Sequence, residues 1–148
     1  MQMKSYFKLI SGTILFEGLP EHHIDELLKI AREKEFNKNE LVFSEGDDGS
    51  GFYINIDGLV KIFKLSAEGK EQILHIFGPG EPYGEVPVFS GQTFPANAET
   101  LSKCRALFFP RKSFINLITG KSSIALNMLA VLSLRLPPVT RTSGKPVP

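Results

Sequence analysis

The sequence has a single cysteine, Cys104, and no tryptophan. One thiol forms no internal disulfide and cannot supply the four thiolates of an iron–sulfur cluster, so a disulfide-stapled fold and a cluster-based sensor are both excluded. Charge of one sign is also missing. The 17 lysines and arginines oppose 16 aspartates and glutamates, for a net charge of +1, which leaves no basic field to hold a nucleic-acid backbone. No apolar run approaches the ~20 residues that cross a bilayer, and the N-terminus has no secretory signal pattern. A cytoplasmic protein with no membrane partner is expected.

Histidine is scarce, with three in the chain. His22 and His23 are adjacent on a helical stretch, point a quarter-turn or more apart, and have no third metal ligand near them in sequence; a solvated helix face is the expectation. His75 lies inside an apolar run and reads as a hydrogen-bonded core residue. Glu45, Asp47 and Asp48 stand among glycines but lack the twelve-position spacing and closing glutamate of a calcium loop, so they read as an acidic turn. No metal site is expected.

What is present is dense turn punctuation around short apolar runs. A length of 148 residues with 42% hydrophobic side chains fits one domain, here residues 1–136. After a short N-terminal helix, Pro20–Phe36 reads as an amphipathic helix, acidic early and basic late, with Ile24, Leu27, Leu28 and Ala31 at helical spacing. The period then shortens. Leu41–Phe43, Phe52–Ile56, Leu59–Phe63, Gln72–Phe77, Ala98–Leu101 and Cys104–Phe109 read as strands, and Asp57-Gly58 is the strongest hairpin signal. Four glycines and four prolines between Gly78 and Pro95 force a shaped loop, with room for one short helix over Tyr83–Phe89. Pro110–Gly120 reads as a helix, and Ser122–Leu136 as a second one, apolar on nearly every side. A helix that apolar needs a partner beyond its own roll, most simply the same helix of a second copy. Pro137-Pro138 stop it, and 137–148 form a tail without periodicity, expected to be disordered.

The E-G-D turn, the D-G turn, Gly-Lys-Glu-Gln before a strand, Gly-x-Gly-Glu-x-x-Gly-Glu, Pro-Ala-x-Ala-Glu and the terminal apolar helix together resemble the sensor domain of Crp/Fnr-type bacterial transcription regulators, over about residues 10–136. The resemblance implies a mainly β fold: a double-stranded β-helix, or jelly roll, with flanking N-terminal helices and a C-terminal dimerisation helix carrying Ile124, Met128, Val131, Leu132 and Arg135. It also implies a small-molecule effector, a homodimer, and DNA contact only through a C-terminal domain that this sequence does not contain.

In relatives that bind cyclic AMP, the loop similar to Gly78–Thr100 holds the phosphate on backbone N–H groups and an Arg-Ser or Arg-Thr pair, while a glutamate takes the ribose hydroxyl. Carried onto this chain, the ligand-binding positions are Gly84, Glu85, Val86, Phe94, Pro95 and Ala96. Gly84 and Glu85 match. Phe94 and Pro95 replace the arginine and its partner, which removes a cation and a backbone donor, so cyclic AMP is disfavoured and the effector unidentified. Haem remains open, since Cys104 and a histidine would be possible ligands. Phe94 either vacates the phosphate site or plugs the pocket as an apolar lid. Two other functions compete. One is a true cyclic-nucleotide module, against which the missing arginine stands. The other is a cupin-type enzyme, whose clustered histidines this sequence lacks.

Overall fold

The computed structural model describes residues 5–135. They form five helices and eight strands: α1 (Phe7–Gly12), α2 (Glu21–Ile30), β1 (Arg32–Phe36), β2 (Leu41–Phe43), β3 (Gly51–Asp57), β4 (Val60–Leu65), β5 (Glu71–Phe77), β6 (Pro82–Tyr83), α3 (Glu85–Ser90), β7 (Asn97–Thr100), β8 (Cys104–Pro110), α4 (Arg111–Gly120) and α5 (Ser122–Arg135). The strands make two four-stranded antiparallel sheets, β1-β8-β3-β6 and β2-β7-β4-β5, which face each other as the expected jelly roll. The expected tail at 137–148, with Leu136, lies outside the described residues.

Two cores result. Strands β3 and β8 are buried on both faces, and their side chains alternate between them with the period of two that a strand imposes. Phe52, Ile54, Leu107 and Phe109 point out toward the helices, where they meet Phe16, Leu27, Phe114, Ile124 and Met128. Tyr53, Ala106 and Phe108 point into the roll, where they meet Phe43, Val60, Tyr83 and Phe94. The two layers are tight at Gly51, where a β-carbon would lie 2.3 Å from the Phe108 ring.

Four expectations give way to the structure. The helix predicted to reach Phe36 stops at Ile30, and Arg32–Phe36 instead pairs with β8 from Arg32↔Phe108 to Phe36↔Cys104. The late basic residues matched a helix C-terminus, but sheet pairing decides. Asp57-Gly58 turns the chain without making a hairpin: β3 pairs with β6 and β8, β4 with β5 and β7. Asp57 is claimed by β8, accepting from the Arg105 backbone N–H at 3.0 Å and from Nε and Nη2 at 3.0 and 2.9 Å. Gly58 has φ +86°, and a β-carbon there would lie 2.5 Å from Cys104 Sγ. The chain thus changes sheets at a point only glycine fits. The hairpin of the second sheet is β4–β5, closed by Ser66 and Lys70 around Gly69.

His75 is not in the core. Strand β5 is the edge of its sheet and its side chains are largely exposed, with Ile73, Leu74 and Ile76 about half so. His75 lies on that edge, with Nε2 3.9 Å from Glu81 Oε1. An apolar run of this kind signals double burial only when strands lie on both sides of it.

His22 is on the solvated face, but His23 is buried, 4% exposed, between α2 and α5. Its Nδ1 lies 3.4 Å from Asn127 Nδ2 and its Nε2 3.0 Å from Ser123 Oγ. With Asn127 donating to Nδ1, the one ring proton sits on Nε2 and is donated to Ser123. Burial holds the His23 pKa below its ordinary value; His22 and Lys121 act in the same direction, and Glu26 opposes them. The unfolded chain therefore binds more protons at this site than the folded one as pH falls through about 6.5. Stability from this contact is present above that pH and is lost progressively below it. Urea midpoints between pH 7.5 and 5 should fall with pH, and His23→Gln should flatten that decline; an equally steep decline in the variant would assign it elsewhere.

Candidate functional site

The loop from Gly78 to Thr100 wraps one end of the roll around α3. Gly84, with φ +79°, is the residue before the helix, and Gly91, with φ +74°, follows it and donates its N–H to the Pro87 carbonyl. Both conformations favour glycine. Pro87 falls in the first turn, where a missing N–H costs no helix bond. A β-carbon on Gly84 would lie 3.2 Å from Phe43 and 3.3 Å from Phe94, so these two rings sit directly over the start of α3.

The returning strand is pinned by the acidic turn. Phe94 donates its backbone N–H to Asp47 O at 2.8 Å and accepts from Gly46 N at 2.8 Å. The turn is itself closed by Ser44 N–H on Asp47 Oδ2 at 3.0 Å, while Glu45 N–H binds Asn97 Oδ1 at 2.8 Å. Two of the acidic residues thus brace the loop through backbone and side-chain hydrogen bonds. Among the described residues, no group of three or more His, Cys, Asp or Glu side chains is placed to hold a metal ion.

All six residues proposed from sequence, Gly84, Glu85, Val86, Phe94, Pro95 and Ala96, line one cavity of about 190 Å³ with Phe43, Ile62, Phe77 and Pro87. Phe94 is 3% exposed and stacks on Phe43, ring centroids 3.8 Å apart and planes at 8°. It is a lid, packed into the roll. Among the described residues no lysine, arginine or histidine lines the cavity, and Pro87 and Pro95 have no N–H to offer an anion. Glu85 is its only ionisable residue and is half-buried. Phe43, Ile62 and Phe77 come from β2, β4 and β5; sequence reasoning missed them because each reads as an ordinary strand residue.

Behind the cavity the roll is sealed by aromatics. Tyr53 and Tyr83 stack with centroids 5.1 Å apart; burial pushes the Tyr53 hydroxyl up to about 12 and that of Tyr83 further. Cys104 is buried, its thiol near the Leu59 and Ser102 carbonyls at 3.3 and 3.2 Å, and burial raises its pKa. It is correspondingly unreactive. Neither Cys104 nor any histidine lines the cavity, so the thiol–imidazole pair considered for haem does not assemble there.

The far end of α3 touches the helices. Arg111 donates from Nε to the Val88 carbonyl at 2.6 Å. Phe89 stacks on Phe114 at 5.5 Å and meets Phe52 edge-on at 5.5 Å. With Ile115, Ile118, Ala125, Met128, Leu129 and Leu132, Phe89 and Phe114 line a second cavity of about 220 Å³ between α3, α4 and α5. Of the residues placed on the dimerisation helix, Ile124 and Met128 are buried in the chain's own core, Val131 and Leu132 are half-buried, and Arg135 ends α5. The exposed apolar side of α5 is instead Leu126, Leu129 and Leu134.

Residues 33–121 match the cyclic nucleotide-binding domain family. A CRP-like cAMP-activated global transcriptional regulator of Mycobacterium tuberculosis is 32% identical over 129 residues, 87% of this chain and 58% of the relative; the chain thus spans a little over half of that protein's length. Among solved structures, the sensor domain of the transcriptional regulator DNR from Pseudomonas aeruginosa is 29% identical, with a TM-score of 0.77 over 91% of each chain. The Thermus thermophilus catabolite activator protein is 28% identical, with a TM-score of 0.71 over 82% of this chain and 57% of that one. Among the described residues, no single helix is long and apolar enough to cross a membrane. A roll with a glycine-led helix at its mouth, the match to residues 33–121 and these regulators as relatives agree: the chain belongs to the cyclic nucleotide-binding domain family, in the form carried by Crp/Fnr-type transcription regulators.

Proposed function

We propose that the chain is the effector-sensing, dimerising part of a cytoplasmic Crp/Fnr-type regulator, binding a small molecule other than a cyclic nucleotide in the cavity beneath Phe94. The observation that carries this reading is the Phe43–Phe94 stack over Gly84, in which Phe94 holds the position where the resemblance implies a phosphate-binding arginine. The signal leaves through α3. An occupant that shifts Val86 or Pro87 moves Val88 and Phe89 with them, and these are held by Arg111 and Phe114 of α4. The Phe89 ring in turn lines the groove whose other wall is α5. Contact with DNA belongs to a further domain that the relatives' greater length leaves room for.

The dimer is read from α5. Leu126, Leu129 and Leu134 are 63%, 60% and 86% exposed, and an apolar helix side of this kind marks an interaction surface. Sedimentation at increasing concentration should show self-association, and Leu126→Asp with Leu129→Asp should return the chain to a monomer without unfolding it. A strictly monomeric parent at high concentration would contradict the dimer.

A further inference from the structure

We infer that the effector is a small apolar amine: a body of about single-ring size carrying one hydrogen-bond-donating, positively charged nitrogen. The inference rests on the reading of the Phe94 cavity as the effector site and adds the chemistry of its occupant.

Size sets the first limit. The cavity holds about 190 Å³, close to the roughly 150 Å³ of an apolar cavity that accepts benzene and below the ~300 Å³ at which drug-sized pockets begin. The walls set the second. Phe43, Phe77 and Phe94 present aromatic rings, and Ile62, Val86 and Ala96 aliphatic surface. Such walls stabilise an apolar body, and ring faces favour a cation over an anion.

Charge sets the third. Glu85 is half-buried on the cavity wall, and its side chain makes no hydrogen bond or ion pair among the described residues. Among the described residues that carboxylate is the one ionisable group on the cavity wall, and a ligand donor that reaches it gains a charge-assisted hydrogen bond. Glu85 also lines a second cleft, whose other ionisable residues are Glu81 and His75, and among the described residues neither lysine nor arginine lines either space. In the cavity an anionic ligand would meet the Glu85 carboxylate and no arginine or lysine, whereas an ammonium would meet a partner.

The test uses the full chain and three probes of one shape, benzylamine, toluene and benzoate, followed by the chemical shifts of the Ile62 methyl groups. Benzylamine should bind at least about tenfold more tightly than toluene, as one charge-assisted hydrogen bond allows, and benzoate should not saturate. Glu85→Gln should bring benzylamine down to the level of toluene; the ranking of probes on the unmodified chain stands even if that variant folds poorly. Benzoate binding as well as benzylamine, or toluene binding with no preference for the amine, would overturn the amine assignment alone. No shift with any of the three would overturn the cavity as effector site, and the amine assignment with it.

Discussion

Phe94→Arg is expected to destabilise the chain by at least ~3 kcal/mol in equilibrium denaturation, rather than to restore a phosphate site. The ring is 3% exposed and lies flat on Phe43 at 3.8 Å. Phe43 in turn packs against Tyr53 and Tyr83, with centroids 6.2 and 6.3 Å away, so loss of one ring unsettles the aromatic interior of the roll. Removing a buried phenyl group costs about 3–5 kcal/mol, and the arriving guanidinium must also be desolvated or swing out. The one carboxylate on the cavity wall is Glu85, and an arginine that reached for it would leave Phe43 without its stacking partner. Phe94→Leu keeps most of the apolar volume and should cost much less, about 1–2 kcal/mol. Urea or guanidinium midpoints for the three proteins decide the point: a Phe94→Arg midpoint no lower than that of Phe94→Leu would mean that the ring is not part of the core.

The jelly roll was legible in the sequence because the family's glycines and turns sit at positions that geometry makes obligatory. Gly84 and Gly91 frame α3 in left-handed conformations, and Gly80 and Gly69 turn the chain with φ of +82° and +84°. The six cavity residues, two triplets at 84–86 and 94–96, came from the resemblance alone, and they meet at one cavity because the loop turns back after α3. Pairing was not legible. Asp57-Gly58 carries the local chemistry of a hairpin, yet Arg105 on β8 takes the aspartate and sends β4 to the other sheet. Period and charge likewise extended α2 through Arg32–Phe36, where the competing term is a ladder with β8 seventy residues downstream.

Burial failed in both directions for the histidines. His23 belongs to a helix whose opposite wall, α5, begins about a hundred residues later, and only the folded contact with Ser123 shows it as interior. His75 belongs to an apolar strand left at an edge. For α5 itself, the sequence showed an all-round apolar helix but not which side the chain's own core would take. Ile124 and Met128 went inward, and Leu126, Leu129 and Leu134 stayed out.

A roll of this family whose cavity is walled by the stacked rings of Phe43 and Phe94 should bind cyclic nucleotides poorly. Gly84 and Glu85 remain, but among the described residues no arginine, lysine or histidine lines the cavity, and its volume of about 190 Å³ is small for a nucleotide. A hydrogen bond to a charged group contributes about 1.5–3 kcal/mol, so loss of the phosphate-binding cation alone weakens binding by roughly ten- to a hundredfold, before the Phe43–Phe94 stack has to open. The most direct test is calorimetric titration of the unmodified chain with cyclic AMP. A dissociation constant of ~100 µM or weaker, or no saturable heat at all, is the predicted result. Saturable binding at low micromolar concentration or tighter would contradict the account, because it would require a phosphate site where the structure places two stacked phenylalanines.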